Sequence, residues 1–130
     1  MMCMVVQDRN RLVLAALRGV PALLFFEVAD QTGYRREQVA EVFDTSLKTF
    51  QRYEREQRNL NPQDSEKILK IQALFSRGTD VFGSAEAFRR WMDKPAFGLG
   101  GQVPFALLQT SGGIDLIMDE LIRIDYGDLA

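Results

Sequence analysis

The sequence predicts an all-α protein, an N-terminal helix-turn-helix unit followed by a C-terminal helical unit, and three observations carry that expectation. Apolar residues recur three and four positions apart in segment after segment, the spacing that gathers them on one side of a helix. Polar starters and glycine stops bracket those segments, as Asn61-Pro62 and Gly33 do. No segment alternates apolar and polar residues with the period of two that a half-buried strand requires.

The elements follow in order. From Asp8 to Arg18, Leu12, Val13, Ala16 and Leu17 recur at helical spacing, and Gly19 with Pro21 closes that helix and opens the next. The second runs from Pro21 to about Gln31. Its first two turns expose little polar surface, so Leu23, Leu24, Phe25 and Phe26 are read as core, with Gly33 as the stop. Arg35 to Phe43 and Ser46 to about Gln57 form two more helices across the short Asp44-Thr45 link. Ser46 can accept a backbone N–H at the start of the second of these, and Asp44 tolerates the left-handed conformation of a tight turn. Asn61 caps a longer helix that begins at Pro62, carries the stripe Ile68, Leu69, Ile71, Leu74 and Phe75, and runs to about Ser76. Gly83 and Ser84 open a short helix through Phe88 and Trp91, aromatics expected in the core beneath a glycine loop at 100–101. Pro104 to Leu108 reads as a brief helical turn. The last helix, Gly113 to about Ile124, carries Ile114, Ile117, Met118, Leu121 and Ile122 on one broad face and stops near Tyr126-Gly127. The expected division is residues 1–60 and 61–130.

Composition narrows the function. With 46% hydrophobic and 26% charged residues the chain can build a core. Cys3 has no intrachain partner, so neither a disulfide framework nor a metal cluster is expected and a cytoplasmic setting follows. The longest apolar run, Val20 to Phe26, is too short to cross a bilayer, and no secretory signal pattern opens the chain. The absence of histidine removes the commonest general base and the commonest metal ligand together. No catalytic residue and no cofactor is expected; a small enzyme working through carboxylates alone is the remaining catalytic reading, set against acidic residues scattered over helices as solvated faces.

The net charge of −2 hides a segregation. Residues 46–58 carry Lys48, Arg52, Arg55 and Arg58 against Glu54 and Glu56, whereas 113–130 carry Asp115, Asp119, Glu120, Asp125 and Asp128 against Arg123 alone. Only the first of these can approach phosphate. In the stretch 39–54, Val39, Ala40, Phe43, Phe50 and Tyr53 form the inward side, with Ala40 small enough for the helices to cross closely. Ser46, Lys48, Thr49, Gln51, Arg52 and Arg55 are left outward, residue types that neutralise phosphate or address guanine and adenine. From spacing alone, an ordinary helical hairpin with a polar face reads equally well.

Two resemblances separate these readings. The hairpin resembles the helix-turn-helix of Xre-type repressors, with Arg36 and Gln38 on the positioning helix and Ser46 to Gln57 as the recognition helix; Asp44 stands where a glycine is usual in that turn. The glycine segment 98–101 lacks the Gly-Lys-Ser/Thr of a nucleotide loop. Instead Val81-Phe82-Gly83-Ser84, Trp91-Met92, Leu99-Gly100-Gly101, Pro104, Leu107-Leu108, Thr110, Gly113 and Ile124-Asp125-Tyr126-Gly127 resemble, in order and spacing, the toxin-binding domain of the MbcA/ParS/Xre antitoxin family. Ala96 departs from the asparagine of many relatives.

The resemblance covers Leu60 to Ala130 well and, with the hairpin, reaches back to about Arg35. It implies a bacterial type II antitoxin, homodimeric, that neutralises a RES-domain toxin consuming NAD⁺ and binds the operator DNA of its own operon. Toxin contacts would fall on Gly100, Gly101, Arg123, Asp125, Tyr126, Gly127, Asp128 and Leu129, and DNA contacts on Arg36, Ser46, Lys48, Thr49, Gln51, Arg52 and Arg55. Asp125 and Asp128 could engage basic groups meant for a pyrophosphate, making the tail a plug; the other reading is a solvated chain end. The dimer face is expected on the Pro62–Ser76 helix or the second helix. A free-standing helix-turn-helix repressor is the alternative.

Overall fold

A computed structural model describes residues 2–127, with side chains from Arg9 onward. The chain forms seven helices among these residues: α1 (Met2–Arg18), α2 (Leu23–Thr32), α3 (Arg36–Val42), α4 (Leu47–Arg55), α5 (Pro62–Phe82), α6 (Ala85–Met92) and α7 (Ser111–Asp125). Two 3₁₀ turns, Phe97–Leu99 and Pro104–Gln109, join α6 to α7. None of the helices is long and apolar enough to cross a membrane among the described residues.

The caps anticipated from sequence hold the helix ends. Ser46, Asn61 and Ser84 each accept a backbone N–H three residues on, from Thr49, Asp64 and Ala87. Gly33 closes α2 in the left-handed conformation. α7 begins two residues earlier than expected, because Thr110 is its cap and accepts from Gly113 N at 2.9 Å.

The long helix α5 is the axis of the molecule, packing against α1, α2, α6 and α7. At 21 residues it spans about 31 Å. It passes the expected end at Ser76 and stops at Gly83, because Gly78 and Phe82 continue the packing onto α6. Its residues Ile68, Ile71, Leu74 and Phe75 are buried in one contiguous core with Phe25, Val28 and Ala29 of α2 and Ile114, Ile117 and Leu121 of α7. The apolar sides of α2 and α5, the two faces expected at a dimer contact, are thus largely packed within the chain. Leu23, expected in the core, is half exposed.

The ends of the N-terminal helices are clamped to the start of α5. Leu60 N donates to Val20 O at 2.8 Å and Ala22 N to Arg58 O at 3.0 Å, forming an isolated bridge between Pro21 and Asn59. Fully buried Ser65 accepts from Val20 N at 3.0 Å and donates to Leu60 O at 3.1 Å, so its hydroxyl is satisfied on both counts. The division expected between residues 60 and 61 falls at this clamp. A second stitch comes from Lys67, whose Nζ donates to Val42 O at 2.7 Å and Gln109 O at 2.6 Å, tying the end of α3 to the 3₁₀ turn before α7. Burial holds that ammonium below the ordinary lysine range.

α1 behaves differently. Its periodicity is helical as expected, but Ala16 is the one buried residue of the expected stripe; Val13 and Leu14 are exposed, and Leu17 is 65% exposed. This face edges a cleft of about 410 Å³ bounded by Pro62, Lys67 and Ser111.

Candidate functional site

Two surfaces carry the side chains singled out by the sequence. The first is built by an aromatic cluster under α3 and α4. Phe50 is fully buried and stacks on Phe25 with ring centres 3.9 Å apart, while Phe43 meets both rings edge to face and Tyr53 meets Phe50 at 6.4 Å. Val39 and Ala40 are buried beside them, as the inward pattern predicted. The turn between the helices closes through Asp44, in the left-handed conformation at φ 57°, and Thr45 N reaches Ala40 O. Asp44 is thus able to replace a turn glycine because its short polar side chain tolerates that region.

With Phe50 and Tyr53 inward, helical geometry turns Ser46, Lys48, Gln51, Arg52 and Arg55 to solvent and leaves Thr49 half-buried. Ser46 and Thr49 are engaged with each other, their hydroxyl oxygens 3.2 Å apart. Arg52 and Arg58 both lie over the Tyr53 ring, with guanidinium carbons 5.3 and 4.5 Å from its centre, so both cations are held at the end of α4. Arg36 is committed elsewhere. It makes a two-point pair with Asp30 at 3.0 and 2.8 Å and lies over Phe26, and this hydrogen bonding lowers the Asp30 carboxyl below its ordinary range. Gln38 likewise serves the fold, accepting from Arg35 N to cap α3.

The second surface is the loop between α6 and α7 with the outer side of α7. Phe88 is fully buried, but its ring packs on α5 at Gly78 and against Phe75 and Phe82, while half-buried Trp91 stacks on Phe88 and lies tilted against Phe82. The loop closes on itself: Ala96 N donates to Gln102 O and Gly101 N to Ala96 O, both at 3.0 Å, with Gly100 and Gly101 at positive φ. Gly98 lies directly on the Glu120 carboxylate, where any side chain would collide. Glu120, placed among the solvated acids by its sequence, is 2% exposed and accepts from Arg123 Nε at 2.8 Å.

Arg123 therefore joins the loop of Gly100 and Gly101 through Glu120. Asp125 is paired with Arg77 of α5 at 2.8 Å, and Asp115 with Lys70 at 2.9 Å. Three acids of the C-terminal stretch are thus neutralised by partners that are distant or unremarkable in sequence, and the acidic end is less charged than composition suggests. Tyr126 is exposed and Gly127 ends the helix. Asp128 and Leu129 lie outside the described residues. Sequence reasoning missed Phe97, which is 95% exposed. Its signal was an aromatic set between Ala96 and Gly98, small neighbours that cannot cover it.

Comparison with known proteins matches two segments of the chain. Residues 77–127 fit the family described as the antitoxin Xre/MbcA/ParS C-terminal toxin-binding domain, and residues 11–73 fit the antitoxin Xre-like helix-turn-helix domain. The chain is similar to an antitoxin Xre of Photorhabdus laumondii subsp. laumondii, at 20% identity over 110 residues that cover 84% of this chain and 74% of that one. It is also similar to an antitoxin Xre of Yersinia enterocolitica, at 31% identity over 67 residues, 51% of this chain and 45% of the relative.

Proposed function

This chain belongs to the Xre-type antitoxins, regulatory proteins rather than enzymes, and from that premise we propose that it binds a RES-domain toxin, covers the site where that toxin consumes NAD⁺, and represses its own operon as a dimer. The observation that carries the reading is the union, on one core, of a cationic recognition helix with a separate loop-and-helix surface. α4 offers Lys48, Gln51, Arg52 and Arg55 to DNA, and Ser46 and Thr49 lie at its N-terminal end, the part of a recognition helix that reaches base edges. Arg36, drawn into its pair with Asp30, would contact phosphate only by leaving that carboxylate.

The toxin-facing set is Gly100, Gly101, Arg123, Asp125, Tyr126 and Gly127, continued by Asp128 and Leu129. Steric cover is the mechanism, with α7 and the residues after it lying across the mouth of the toxin's dinucleotide site. Asp125 would exchange Arg77 for a basic group of the toxin, a swap of one exposed ion pair for another that costs little. A second copy fits the exposed side of α1, where Val13, Leu14 and Leu17 await cover, and two recognition helices then supply the phosphate contacts that one lacks. An operator-bound antitoxin acts in the cytoplasm.

The test is a division of labour. Arg52→Ala should weaken operator binding about tenfold while inhibition of toxin NAD⁺ consumption stays unchanged. Deleting residues 124–130 should do the reverse. Undiminished inhibition by the shortened chain would sink the covering role of the tail, and unchanged DNA binding by Arg52→Ala would mean that α4 is not the recognition helix.

A further inference from the structure

We propose that Phe97 is the aromatic anchor through which this chain holds its toxin, entering an apolar pocket of that partner with Leu116 and Arg123 beside it. The proposal rests on the antitoxin reading above. Phe97 exposes 95% of its surface, the largest exposure of any large apolar side chain described, and burying such a ring against a partner would be stabilising. Left in water, it forgoes that stabilisation.

The ring cannot recover it by folding back. Leu99 N donates to Ala96 O at 3.1 Å, Gly100 N to Phe97 O at 3.2 Å and Gln102 N to Leu99 O at 3.2 Å, so the turn that carries Phe97 is closed by its own backbone. Ala96 is buried and Leu99 packs against the core, which takes the inward positions on both sides of Phe97. Beneath the turn, Gly98 rests on Glu120, a buried carboxylate that Arg123 holds in place. Glu120 thus fixes the turn from below, and within Ala96–Leu99 the one large side chain left fully outward is Phe97. A rigid aromatic with two rotatable bonds loses little freedom on binding, the property that makes such residues the strong points of interfaces.

Leu116 and Arg123 stand four residues before and three after Glu120, so both share the side of α7 that meets Gly98. Leu116 is 53% exposed, and Arg123 has donors beyond the Nε given to Glu120. A ring, a branched aliphatic chain and a fixed guanidinium together suit an apolar pocket with a carboxylate or carbonyl rim. The patch is continuous with Gly100 and Gly101 and lies within the 77–127 segment that matches a toxin-binding domain, whereas a second copy has the α1 face and DNA has α4.

Titration of the purified product of the neighbouring gene into the full chain tests this. Phe97→Ala should weaken that complex at least about 30-fold and Phe97→Leu less, with melting temperature and operator binding unchanged. Affinity of Phe97→Ala within about threefold of the parent would overturn the anchor while leaving the antitoxin reading intact. A change of oligomeric state in the toxin-free variant, seen by light scattering, would also overturn it, in favour of a contact between copies. No binding by the parent chain itself would remove both readings together.

Discussion

Gly78 lies near the end of α5, and alanine at that position tests how tightly α6 is seated on the long helix. Helix propensity alone favours the alanine by about 1 kcal/mol. The packing opposes it. A Cβ at position 78 would stand 2.5 Å from Phe88 Cγ, against the 3.5–4.0 Å of an ordinary carbon contact, so the ring must retreat by about 1 Å or more. Phe88 has no open space to enter, being fully buried with Phe75 at 4.9 Å, Phe82 at 5.8 Å and Trp91 at 5.9 Å between ring centres. Overpacking of this kind costs about 1–3 kcal/mol, and displacement from three aromatic neighbours adds a fraction of about 1 kcal/mol for each. The net expectation is a loss of about 1–2 kcal/mol, or roughly 4–8 °C in melting temperature at this chain length. Thermal melts followed by circular dichroism give the sum, and fluorescence of the single tryptophan, Trp91, reports the local shift because its ring stacks on Phe88. Phe88→Leu placed in the Gly78→Ala background should recover part of the loss. A higher melting temperature for Gly78→Ala would refute the reasoning, showing that propensity outweighs the contact.

Three further outcomes follow from other parts of the fold. Phe50→Ala removes the ring at the centre of the helix-turn-helix cluster and should cost about 3–5 kcal/mol in urea denaturation, the range for deleting a buried phenylalanine. Leu17→Asp should convert a dimer to a monomer in light scattering without loss of helical signal, and a dimer that survives it would not use the α1 face. Tyr34 should make the fold sensitive to alkali: burial first, then the hydrogen bond it donates to Asp93 at 2.7 Å, raise its phenol well above the ordinary value. A raised folded-state pKa means that the stabilisation is fully present below about pH 10, where the unfolded phenol titrates, and is lost as pH rises beyond it. The urea midpoint of the parent should therefore fall above about pH 10 and that of Tyr34→Phe should fall less steeply.

The charge pattern shows how a sound local reading can need tertiary correction. Four cations against two acids in residues 46–58 point to phosphate, and that face does stand outward on α4. The acidic stretch 113–130 has the opposite sign in sequence, yet Lys70, Arg77 and Arg123 neutralise Asp115, Asp125 and Glu120 in the fold. Two of those cations lie on α5, some 45 residues away along the chain. No local window could have joined them.

Local chemistry in this chain is legible residue by residue. Helical spacing, the caps Ser46, Asn61 and Ser84, the stop at Gly33 and the tolerance of Asp44 for a left-handed turn depend on neighbours within four positions, so reading them needs no knowledge of the fold. The inward set Val39, Ala40, Phe43, Phe50 and Tyr53 follows from the same periodicity. Tertiary structure alone decided which apolar stripe finds a partner. The stripes of α2 and α5 look like that of α1 in sequence, but α5 runs through the middle and covers the first, while Val13, Leu14 and Leu17 stay in water. It also decided the fate of single side chains near α7: Glu120 goes under Gly98, Arg36 goes to Asp30, and Phe97 is left outside. Burial and pairing depend on what the chain brings back from afar, and periodicity holds no record of that distance.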